Sequence, residues 1–308
     1  MREGNILRAD GTSLGADDGI AVAISLYLIQ QKIQHGPLRL IFTVDEETNM
    51  TGALSLSADH VKDAKYVINC DSESIHVICV ASAGSCHMEF TRDLHRCAPT
   101  GDTALTVRAH ALAGGHSGEV INEGRGNAIK AVADVLYRLS EGGVEYALAD
   151  YKGGVAANAI PSDASAVVVV AAKDVDRVKA TVAAAEKDFH LVYGETDPNA
   201  VFEVTPADLP KSVLSAEDTT SIVDVINLLH CGVFAMDRRL PRLPALSASL
   251  GTIETREDVL AFQYFPRSSS DARLQALVRV MPIIAKCTGT KVHIEKPFPA
   301  WTESKNSK

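Results

Sequence analysis

The sequence predicts an α/β chain in two parts: a mostly parallel sheet over residues 1–88 and an α+β domain over residues 89–297. Residues 298–308 begin a return to the first part. Three observations carry this. Helix-like and strand-like apolar segments alternate through the first 88 residues. The pattern changes after Gly84. Two successive β-α-β-β-α-like blocks follow, reading as an internal duplication.

Each element has its own signal. Ala16 to Lys32 shows helical apolar spacing, with Asp17 or Asp18 placed to cap its start. Leu38 to Val44 is a short apolar run after Gly36-Pro37, hence a strand. Thr51 to Ser57 reads as a short helix, and Tyr66 to Cys70 and Ile75 to Ala81 as strands. In the second part, Asp102 to Ala113 alternates like a half-exposed strand. Asn127 to Leu139 is an amphipathic helix. Tyr146 to Gly153 and Ala164 to Ala172 read as strands, and Asp174 to Phe189 as a helix. Ala200 to Ser215 reads as the linker to the second block. There Thr219 to Leu228 and Ser270 to Cys287 are helices, and Leu246 to Thr252 and Leu260 to Phe265 are strands.

Composition excludes several classes. With 308 residues, 46% hydrophobic and 22% charged, the chain reads as ordinary globular protein, neither disordered nor collagen-like. Thirty Lys and Arg against 39 Asp and Glu leave a net charge of −9, which argues against a nucleic-acid partner. The longest apolar run, Ala164 to Ala172, is far short of the roughly 20 residues of a membrane span. Six cysteines without a CxxC pair read as reduced thiols, and residues 1–11 show no apolar signal core. The expected location is cytoplasmic.

Four acidic residues stand where chemistry is expected. Asp17 opens the first helix, Glu46 and Glu47 follow one expected strand, and Asp71 follows another. In an open parallel sheet these positions share one edge, where ligands bind. Clustered carboxylates repel unless a cation joins them, so a divalent metal pair fits, with oxygen donors suiting zinc, manganese or magnesium. Taken singly, such an Asp is ordinarily an N-cap and such a Glu pair ordinarily a solvated loop. His116 lies in the glycine-rich turn Gly114-Gly-His-Ser-Gly118, which leaves an imidazole open to a substrate. That turn is no serine-hydrolase elbow, because Glu119 stands where a glycine is required, and no phosphate loop, because no Gly-Lys follows. Asn158 and Arg267 are further polar candidates, and an Arg after a strand can grip a carboxylate bidentately.

In this order the motifs resemble the zinc metallopeptidase family of aminoacylhistidine dipeptidase, also called cytosol nonspecific dipeptidase or peptidase D. The resemblance runs through Asp10–Gly19, Asp45-Glu-Glu47, Ile68–Glu73, Gly114–Gly118, Asn158–Pro161, Ser249-Leu-Gly251 and Arg267-Ser-Ser269. It covers nearly the whole chain. It implies a catalytic part with an inserted lid, and hydrolysis of Xaa-His and other short peptides by a water that two zinc ions activate, with manganese or cobalt as substitutes. Asp17 then bridges the ions, Glu47 binds one and Asp71 the other, and Glu46 is the general base. His116 stabilises the oxyanion, and Asn158 and Arg267 hold the dipeptide. A homodimer is the implied assembly.

The sequence departs from the family pattern at both ends. No His-x-Asp occurs within residues 1–34, and the chain ends in a polar tail after Phe298–Trp301, so it resembles a fragment: the lid with half a catalytic domain. The rival reading is therefore a non-catalytic binding or dimerising module. Metal content and turnover of the purified chain separate the two.

Overall fold

A computed structural model of the chain describes residues 1–12, 14–46, 50–71 and 76–302. They form two compact units, residues 1–80 and residues 81–308.

The first unit is sparse in regular structure. Strands β1 (Arg2–Glu3) and β2 (Ile6–Leu7) form a small antiparallel hairpin. Helix α1 spans Ala16–Gln30, where Asp18 Oδ1 accepts from the Ala21 N–H and so fills the capping role expected of this aspartate pair. Helix α2 covers only Thr51–Leu54. The parallel sheet expected here is not among the described elements. Residues 38–44, 66–70 and 76–81 carry no strand, and their apolar side chains face outward: Val67 is 70%, Ile68 82% and Ile78 87% exposed. A parallel sheet is stabilised by burying both faces. Apolar periodicity identifies a surface that seeks cover, and among the described residues these runs form no strand ladder.

The second unit holds most of the core. Its strands begin with β3 (Gly84–Ser85), β4 (Met88–Asp93), β5 (Arg96–Cys97), β6 (Thr103–His110) and β7 (Gly115–His116). Helix α3 (Ala128–Glu141) leads to β8 (Tyr146–Gly153), β9 (Ala159–Ile160) and β10 (Ala164–Val170). Helix α4 (Val175–Tyr193) precedes β11 (Val201–Ala207) and β12 (Val213–Leu214). Helix α5 (Ala216–Leu228) is followed by β13 (Gly232–Met236), β14 (Pro244–Thr255) and β15 (Val259–Ser268). Helices α6 (Asp271–Val278) and α7 (Met281–Thr288) and strand β16 (Lys291–Ile294) complete the unit.

Ten of these strands form one sheet in the order β11-β6-β10-β8-β14-β15-β4-β16, with β13 on β14 and β3 on β15. Every strand pair among the described residues is antiparallel. The two blocks expected from sequence thus share one sheet, joined where Ile253 and Glu254 of β14 pair with Gly153 and Lys152 of β8. Helix α3 starts on an Asn127 cap, whose side chain accepts from the Lys130 N–H, and buries Ala128, Ile129, Val132, Val135, Leu136 and Leu139 against the sheet. Phe90 of β4 stacks on Phe262 of β15 at 5.1 Å.

Three expectations change. The supposed linker at residues 200–215 contains β11 and β12, because Phe202 and Val204 turn inward in alternation. The helix expected over residues 270–287 is two, broken before Pro282, which has no N–H to donate to a preceding turn. Residues near 298 pair within the second unit: Ser85 exchanges hydrogen bonds with Phe298, and Ser82 with Trp301. No helix among the described residues is long and apolar enough to cross a membrane.

The contrast in packing has a measurable consequence. Open, poorly buried segments are cut first by proteases. Limited proteolysis should remove residues 1–80 and leave a resistant product beginning near residue 81. Degradation of the second unit with the first intact would contradict this.

Candidate functional site

The expected metal residues lie in the first unit. Asp17 is exposed at the start of α1, and Glu46 is exposed in the turn after residues 38–44. The Gly52 N–H donates to the Val44 carbonyl at 3.0 Å, and Thr51 Oγ1 donates to Asp45. Asp71 is exposed, and its N–H donates to Asn69 Oδ1 at 3.3 Å. Glu47 lies outside the described residues. Among the described residues no three His, Cys, Asp or Glu side chains come together as a metal-holding group. A zinc site normally takes at least three protein donors, so the described residues do not by themselves fit that ion.

The second unit brings its candidates together. His116 sits on β7, which pairs with β9 so that His116 lies opposite Ala159. The next residue, Ser117, donates its N–H to the Asn158 carbonyl at 2.8 Å, so the two motifs are clasped through the backbone. The Asn158 side chain is exposed. Its loop lies on β14: a Cβ at Gly251 would stand 2.3 Å from the Ala157 carbonyl oxygen and 2.5 Å from that of Ala156. The glycine of Ser249-Leu-Gly251 therefore permits this backbone contact, which no larger residue allows.

Arg267 reaches the same place from β15. A Cβ at Gly118 would lie 3.0 Å from His116 Cε1, 3.2 Å from Arg267 Cζ and 3.3 Å from Arg267 Nε. The imidazole and the guanidinium thus meet beside a bare backbone. Arg267 also stacks over the Phe265 ring, with Cζ 4.7 Å from its centroid. Burial pushes its pKa below the usual arginine value. Its Nε is buried without a hydrogen-bond partner, and among the described residues no carboxylate pairs with it. Arg267 as a whole is half-buried, and a partly desolvated cation without a counter-ion carries a cost that an anionic ligand offsets. The His116 side chain is 40% exposed, open to a ligand held by Arg267.

A cavity of about 270 Å³ lies against α3 and α4, lined among others by Asn127, Lys130, Phe189 and Cys231. Its lysine is already engaged. Lys130 donates to the carbonyls of Ile226, Asn227 and Leu229 at 2.7, 2.9 and 2.9 Å, capping the end of α5. Burial lowers the Lys130 pKa and raises that of Cys231.

Residues 109–197, which carry His116 and Asn158, match the model of a peptidase dimerisation domain. That part of the second unit is thus similar to a peptidase dimerisation domain. Over 99% of its length the chain is 29% identical to the cytosol non-specific dipeptidase of Escherichia coli (strain K12) and spans 63% of that protein. It superposes over its whole length on the aminoacylhistidine dipeptidase of Vibrio alginolyticus with a TM-score of 0.81 and 27% identity, again spanning 63% of that chain. The chain is thus similar to the cytosol non-specific, or aminoacylhistidine, dipeptidases over nearly two thirds of their length.

Sequence reasoning missed Ser117, Arg125 and Asp197. Ser117 is 2% exposed and its hydroxyl has no partner among the described residues. Arg125 donates from Nη1 to the Gly114 carbonyl, bracing the turn that carries His116. Only the proximity of Arg125 to the Gly-Gly-His motif could have signalled its role.

Proposed function

We propose that this chain serves the metal-dependent hydrolysis of dipeptides, Xaa-His and other short peptides, in the cytoplasm and as a homodimer. The observation that supports this most directly is the meeting of His116 with the half-buried Arg267, whose Nε is buried without a partner, beside Gly118. Arg267 grips the C-terminal carboxylate of the dipeptide. His116 donates to the carbonyl oxygen as negative charge develops on it. Asn158 lines the same turn and helps hold the substrate. Glu46 takes a proton from the attacking water and passes it to the leaving amine. Asp17, Glu47 and Asp71 are the family's metal-ligand positions. Among the described residues they assemble no three-donor group.

The test is a kinetic split. Arg267 contacts the substrate in ground and transition states alike, so Arg267→Ala should raise KM about 10–100-fold with kcat nearly unchanged, the worth of a charge-assisted hydrogen bond. Hydrolysis of a Xaa-His dipeptide with zinc or manganese supplied measures it. An unchanged KM would remove Arg267 from the substrate site. A purified chain that dimerises but neither turns over nor binds dipeptide would favour the dimerising-module reading, which the matched domain at residues 109–197 supports.

A further inference from the structure

His116 stands on an arch, residues 113–126, whose two feet are tied by one carboxylate. Asp197 is 1% exposed. Its Oδ1 accepts from the Ala113 N–H at 2.7 Å, and its Oδ2 accepts from the Gly126 N–H at 2.8 Å and from Thr196 Oγ1 at 3.0 Å. Among the described residues no cation pairs with it. Asp197 itself is fixed at the end of α4, where its N–H donates to the Tyr193 carbonyl at 2.7 Å and its own carbonyl accepts from the Ala200 N–H at 3.2 Å. The arch is thus held from beneath by a rigid helix end.

The sheet and α3 do not depend on this clasp. Strand β6 ends at His110 and α3 begins at Ala128 on its own Asn127 cap, so both tied amides belong to the arch alone. Within the arch, the N–H groups of Glu119 and Val120 both donate to the His116 carbonyl at 3.1 Å, and Arg125 braces Gly114. The spacing of the feet therefore passes to the backbone that aims the imidazole. We infer that Asp197 is a positioning residue: it fixes the arch that holds His116 against Arg267. This rests on the reading of His116 given above, and deepens it.

The amide oxygen of Asp197→Asn still accepts one arch N–H, but its NH2 faces the other donor. An ångström-scale shift of a reacting group costs on the order of 10²-fold in rate, so kcat for a Xaa-His dipeptide should fall about 10–100-fold. KM should move little, because Arg267 stands on β15. In a His116→Ala background the same substitution should have no further effect. Hydrogen exchange at the Ala113 and Gly126 amides should quicken, and the His116 ring resonances should shift. An equal loss of kcat with and without His116 would overturn the inference, as would unshifted ring resonances in a folded Asp197→Asn chain. If His116→Ala alone leaves turnover unchanged, the functional reading fails, while exchange and ring resonances still decide whether Asp197 positions the arch. Should the Asn variant not fold, Asp197→Glu, with both acceptors on a longer stem, is measured by the same exchange and resonance criteria.

Discussion

Replacing His116 by Ala is expected to lower kcat for a Xaa-His dipeptide by about 10²–10³, the usual loss for an oxyanion donor, with little change in KM. The reason is where charge appears. The ground-state carbonyl oxygen is weakly basic and gains little from a donor. The tetrahedral oxygen is anionic and gains much more, above all beside the partly desolvated guanidinium of Arg267. On the proposed roles His116 should act on the rate and Arg267 on binding, although the two side chains converge on Gly118. Steady-state kinetics of the two single variants separates the roles. A His116→Ala chain with normal kcat and raised KM would make the imidazole a ground-state contact, and the oxyanion assignment would fall.

Gly118 explains why these residues could be named from sequence. The Gly-Gly-His-Ser-Gly run requires backbone freedom at a turn, and that requirement is local. The Asn127 cap and the apolar stripe of α3 were legible for the same reason. Asp197 was not. Asp197-Pro198 after a helix reads as an ordinary turn, and nothing local ties it to amides 84 and 71 residues away. The strand β4 was hidden differently. Met88, Phe90 and Arg92 alternate inward, but a charged residue at the third inward position disguises the pattern. The first unit fails in the opposite sense. Its apolar runs gave clear strand signals, while Ile68 and Ile78 remain exposed, because periodicity states what must be covered and not by what.

The hidden charge in β4 sets the largest expected effect on stability. Arg92 is 8% and Asp218 0% exposed, and Arg92 Nε donates to Asp218 Oδ1 at 2.7 Å. The His95 N–H donates to Asp218 Oδ2 at 2.6 Å, and Arg92 Nη1 donates to the Gly289 carbonyl at 2.6 Å. One ion pair thus links β4, the start of α5 and the end of α7. Asp218→Ala leaves the buried guanidinium with only the exposed Glu217 carboxylate, 3.0 Å from Nη2, so the loss should approach the roughly 3–5 kcal/mol typical of a broken buried pair. For a unit of this size that lowers Tm by about 6–20 °C. Replacing both partners by apolar residues should cost less than the single change, because no charge is then stranded. Acid should act like the mutation. Burial pushes the Asp218 pKa up, but the His95 N–H, the Arg92 guanidinium and Ser215 outweigh it, and the carboxyl lies below its ordinary value. A group depressed in the folded state stabilises above its unfolded pKa of about 3.9 and loses that contribution as pH falls further. Urea denaturation of the second unit at neutral pH and below about pH 4 should show wild-type stability falling with acid, and a shallower fall for Asp218→Ala. Equal slopes for the two proteins would mean that the bonds to Asp218 do not favour its charged form, and the stability of this junction would then rest on packing alone.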